Sequence, residues 1–83
     1  MSYVIRLSKS VKKFLRKLPK ETSVRITTAL KRCKIRPYSH VKKLVNSPYF
    51  SFRVGDYRAL MRIQDNELQI LVVEIDHRKK VYK

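Results

Sequence analysis

An α+β domain of β-α-α-β-β-β order, with an antiparallel sheet packed on a helical hairpin, is the fold class this 83-residue chain predicts. Three observations lead to it. Apolar residues alternate with polar ones near the N-terminus and again after Pro48, the signature of strands. Between these regions lie two segments with apolar residues at helical spacing, separated by Pro19. Gly55-Asp56 and Asp65-Asn66 then punctuate the later strands as tight turns, which join antiparallel neighbours.

In chain order, Tyr3, Ile5 and Leu7 alternate with Val4 and Arg6 and predict the first strand. Ser8 or Ser10 can cap a helix in which Val11, Phe14, Leu15 and Leu18 fall at i, i+3, i+4 and i+7. Its other face carries Lys9, Lys12, Lys13, Arg16 and Lys17, most of them a solvated surface. Pro19 breaks this helix and suits the first turn of the next. There Ile26, Ala29, Leu30 and Cys33 form the apolar stripe, with Val24 at its start, and Pro37 ends it. Residues 36–48 read as a loop anchored by Val41 and Leu44, with His40 an ordinary member of it. Strands follow at about 49–54, 57–63 and 68–76. The last is nearly continuously apolar, as a central strand buried on both faces would be.

Residues 1–83 make one small domain with a single core, for which 43% apolar residues suffice. No run of 18 apolar residues suggests a membrane span, and no signal-peptide pattern opens the chain. A lone Cys33 cannot form an intramolecular disulfide. A cytoplasmic protein without membrane contact is the expectation.

Charge carries the first functional clue. Twenty-one Lys and Arg against six Asp and Glu give a net +15, concentrated in residues 1–42 at +12. A fold needs no such excess, and self-repulsion makes it costly. Nucleic acid is the partner such a field fits best. Within that field, Tyr49-Phe-Ser-Phe-Arg-Val-Gly-Asp-Tyr-Arg58 reads as a hairpin. A turn at Gly55-Asp56 places Arg53 directly opposite Arg58, about 5 Å apart at Cβ. Like charges so placed repel unless an anion lies between them, and a phosphate fits.

Familiar catalytic sets are mostly missing. Gly55 is the only glycine, so there is no phosphate loop. Cys33, His40 and His77 are too scattered for a zinc site, and six acids, several at turns, do not suit two-metal chemistry. Arg, Lys, His and Tyr remain, with no cofactor. They can cleave RNA, whose 2′-hydroxyl is an internal nucleophile: the protein must align it, neutralise the phosphorane-like transition state and move protons.

Leu44 to Arg58, with Ser-Pro-Tyr and Arg-Val-Gly-Asp-Tyr-Arg, and the ending Asp76-His-Arg-Lys-Lys-Val-Tyr82 resemble the RelE family of toxin ribonucleases. The resemblance covers essentially the whole chain. It implies the toxin of a type II toxin–antitoxin pair that enters the ribosomal A site, cuts messenger RNA and is silenced by an acidic RelB-like antitoxin. It implies that Arg58 stabilises the transition state and that Arg78 stands beside the leaving group. Tyr82 would stack on a codon base. Arg53 falls where the family often places a lysine general base, and Ser51 at the other basic position of that strand. Arginine is a poor proton acceptor, so Arg53 is expected to bind phosphate. That leaves His77, Tyr82 or Lys43 for proton transfer, or no strong base at all. Two rivals stand beside this reading: a ParE-like inhibitor of DNA gyrase with the same fold, and a non-catalytic RNA-binding module.

Overall fold

The computed structural model describes residues 2–77. Strand β1 (Val4–Leu7) leads into helix α1 (Lys9–Lys17), and α2 (Lys20–Lys31) follows across Pro19. Strands β2 (Lys42–Lys43), β3 (Phe50–Val54), β4 (Tyr57–Gln64) and β5 (Gln69–His77) complete the order. The five strands form one sheet in the order β1-β5-β4-β3-β2.

Ser8 starts α1 as the capping rule requires. Its hydroxyl accepts the Val11 N–H at 3.2 Å and donates to the Val73 carbonyl at 2.9 Å, tying the helix start to β5. Val11 and Leu15 from α1 and Ile26, Ala29 and Leu30 from α2 are buried against Met61, Ile70 and Val72 of the sheet. Both helices cover this one face. The opposite face carries Ser51, Arg53, Arg58, Leu60 and Arg62 by strict alternation from the buried Phe52, Ala59 and Met61.

Several expectations need correction. β1 pairs with β5 in parallel, so the sheet is mixed rather than wholly antiparallel. The helical hairpin carries the chain from β1 to β2 at the far edge, and β2, β3 and β4 then bring it back to β5 beside β1. Lys42–Lys43, assigned to a loop, forms a fifth strand on the edge beyond β3, and Pro37–Ser39 is a 3-10 turn. α2 stops at Lys31, well before Pro37, and Cys33 is buried in the 3-10 turn that follows. Val24 is 52% exposed and takes no part in the apolar stripe. The β4–β5 connection is a 3-10 turn, Asp65–Glu67, closed by Leu68 at φ 51°, not a two-residue turn. β5 lies inside the sheet, but only its helix-facing residues Ile70, Val72 and Ile75 are fully buried; Leu71 and Val73 are half-buried.

Pairing of β4 with β5 shifts register between Leu60 and Met61, which oppose Glu74 and Val72. Val73 is thus one extra residue, a β-bulge. Its carbonyl accepts hydrogen bonds from the hydroxyls of both Ser8 and Ser10.

Candidate nucleic-acid interface

Arg53 and Arg58 are directly paired across β3 and β4, and Val54 opposes Tyr57, so Gly55-Asp56 closes the hairpin as expected. Gly55 takes φ +57°, a conformation that costs an L-residue with a side chain about 1–2 kcal/mol. Arg53 is exposed, whereas Arg58 is half-buried with its Nε shielded from solvent. A guanidinium held this way loses less freedom when it forks onto a phosphate.

Asp76 of β5 lies directly opposite Arg58. Arg53, Arg58 and Asp76 therefore make a row across three adjacent strands on the face turned away from the helices. Sequence reading missed Asp76 because its facing depends on the bulge. Without the extra residue at Val73, the register from Gln64–Gln69 would set Ile75 opposite Arg58 and turn Asp76 to the helix side. A second omission is Arg25, which looks like any exposed cation on a helix. Its guanidinium lies over the hairpin turn, where a Cβ on Gly55 would stand 2.9 Å from Nη2. Nothing in the spacing of α2 signals that contact.

The other candidates are distributed unevenly. Ser51 shares the face of Arg53 but is only 8% exposed, between Lys42 and Leu60. Lys43 opposes Phe50 on the helix-facing side, its Nζ 5.7 Å from that ring and donating to the Ser47 carbonyl. His77 pairs with Tyr57 and packs edge-on against it at 5.6 Å, with Phe14 behind. Both Lys43 and His77 are thus separated from the arginine row by the sheet itself. Arg78 and Tyr82 lie outside the described residues.

Among the described residues no three His, Cys, Asp or Glu side chains cluster as metal ligands would. No helix among them is long and apolar enough to cross a membrane. An apolar depression of about 340 Å³ lies between β1 and α2, lined by Val4, Ile5, Leu7 and Leu30. It sits at the β1 edge, away from β3 and its arginine. A polyanion backbone is gripped on an open charged face, so that depression is no rival to the arginine row.

A family described as the ParE toxin of the type II toxin–antitoxin system parDE matches residues 5–82. Toxin RelG of Mycobacterium tuberculosis is 30% identical, an alignment covering 100% of this chain and 99% of that protein. The chain belongs to the RelE family, within the RelE/ParE superfamily of type II toxins. Solved structures agree with this RelE-family assignment. The RelBE2 toxin–antitoxin complex of M. tuberculosis holds a chain with TM-score 0.86 and 27% identity, over 94% of this chain and 93% of that one. The RelE–RelB complex of Pyrococcus horikoshii gives TM-score 0.80 at 25% identity, covering 94% and 97%. A doubly substituted Escherichia coli RelE in the free state, at 17% identity and TM-score 0.80 over 99% and 92%, shares the fold.

Proposed function

We propose that this RelE-family toxin is a metal-independent endoribonuclease that cuts messenger RNA in the ribosomal A site, with the RNA 2′-hydroxyl as nucleophile. The observation that carries the reading is the directly opposed Arg53–Arg58 pair on the face turned away from the helices. Two guanidinium forks at that spacing can hold the non-bridging oxygens of one phosphate and strengthen their hold as charge builds on them. Arg78 and Tyr82 have the leaving-group and base-stacking roles the family resemblance implies. The lysines of α1, exposed on the opposite layer, give the toxin a second cationic surface for ribosomal RNA. Its partner in the resting state is an acidic antitoxin. A net charge of +15 favours such a partner, and the matched structures include toxin–antitoxin complexes.

Arg58→Ala is expected to lower single-turnover cleavage of A-site message by about 10²–10³-fold, as loss of one transition-state donor does. Arg53→Ala is expected to raise the apparent Kd more than it lowers the rate. Intact message on ribosomes that visibly bind the wild-type protein would overturn the nuclease reading. Poisoning of DNA gyrase is a second reading, favoured by the ParE description of the matched family. Linearisation of supercoiled DNA by gyrase plus toxin, with messenger RNA uncut, would establish it instead.

A further inference from the structure

The arginine row carries charge but, in its two guanidinium groups, no proton acceptor. Of the described histidine and lysine candidates, His77 and Lys43 project to the helix side of the sheet, and Lys42, on the open face, stands opposite Ser51 on the outermost strand, outside the row. Two carboxylates share the face: Glu74 opposes Leu60, and only Asp76 falls in the row of the arginines. Asp76 opposes Arg58 across β4 and β5, and the Val73 bulge is what turns it there. The Ser8 and Ser10 hydroxyls bound to the Val73 carbonyl hold that bulge in place. Oδ1 of Asp76 accepts the His77 N–H at 2.7 Å, which fixes the carboxylate's direction at the strand end. Directly opposed residues have Cβ atoms about 5 Å apart, so a phosphate seated on Arg53 and Arg58 has Asp76 on its flank.

Resting on the nuclease reading above, we infer that Asp76 is the general base of this toxin. Its carboxylate takes the proton of the 2′-hydroxyl. The 2′-oxygen then bonds to phosphorus as the bond from phosphorus to the 5′-oxygen breaks. The departing 5′-oxygen takes a proton from water, and the proton held on Asp76 returns to the hydroxide so formed. The products are a 2′,3′-cyclic phosphate and a 5′-hydroxyl, with no net change in protons. Arg53 and Arg58 hold the phosphate throughout, and offset the repulsion a lone carboxylate would exert on it.

The test compares wild type, Asp76→Asn and Asp76→Ala on programmed ribosomes, measuring binding and single-turnover cleavage separately. Asparagine keeps an oxygen for the His77 N–H and removes the negative charge, so binding is expected to hold or tighten. Cleavage is expected to fall about 10²–10⁴-fold, the usual worth of a general base. Added formate is expected to restore cleavage to Asp76→Ala but not to Arg58→Ala, a rescue that a merely structural carboxylate would not show. Asparagine at this position with cleavage within about threefold of wild type overturns the inference, as does parallel loss of binding and cleavage. Message left intact by wild type overturns the nuclease reading itself.

Discussion

At the scale of single residues, a carboxylate and two phenols pin the far end of the sheet. Tyr3 and Tyr38 both donate to Asp65, each at 2.7 Å to Oδ1, joining the N-terminal segment and the Pro37–Ser39 turn to the β4–β5 turn. These bonds hold the Asp65 carboxyl below its usual range. Partial burial, and then the bond to Asp65, pushes the Tyr38 hydroxyl up to about 12. The bond to Asp65 is the main cause raising Tyr3. The Asp65 contribution is therefore present above its unfolded value of about 3.9 and is lost as pH falls through the lower folded value. The tyrosine contribution is present below about 10 and is lost as pH rises through the raised folded values. The gap in melting temperature between wild type and Tyr38→Phe is expected to be flat near neutrality and to shrink at both extremes. Thermal melts from about pH 3 to 11 check this, and an unchanged gap at the acid end would refute the clamp. Exposure of Asp65 makes the neutral-pH gap small.

Among the elements, the β3–β4 hairpin bears most on function because its register aligns the arginines. Gly55 meets two demands there, a positive φ and the nearby Arg25 guanidinium. The contact is with the far end of a flexible side chain, so it can yield; the backbone conformation cannot. Gly55→Ala is accordingly expected to destabilise the protein by about 1–2 kcal/mol. Repeating the substitution in an Arg25→Ala background should change that cost by less than about 0.5 kcal/mol, the usual scatter of independent sites. Denaturant unfolding of the four proteins measures it. A cost that vanishes without Arg25 would show that crowding, not φ, governs the turn. The bulge in β5 has an equal effect at this scale, because one inserted residue decides which face Asp76 occupies.

For the molecule as a whole, charge and layering divide the work. The sheet face turned away from the helices gathers arginines, and the outer face of α1 gathers lysines. Association with ribosomes that engages about six phosphates is expected to weaken roughly 10³-fold between about 50 and 200 mM salt. Filter binding across that range checks it, and a flat dependence would count against backbone contacts as the source of affinity. Much of this architecture was legible in advance: the strand and helix periods, the Ser8 cap, and the Arg53–Arg58 pairing all follow local rules. Val24 was misread because apolar residues at a helix start need not face the core. The edge strand Lys42–Lys43 was invisible because two charged residues carry no strand pattern, and only pairing with Phe50 and Ser51 defines it.

By itself the sequence determined the α+β class, the hairpin register and the concentration of positive charge, since each depends on residues close together in the chain. Tertiary structure alone decided the parallel pairing of β1 with β5, which joins segments more than sixty residues apart. It also decided which titratable groups stand beside the arginines. His77 and Lys43 went to the helix side and Asp76 to the open one, because facing in a strand has a period of two and a single bulge inverts it.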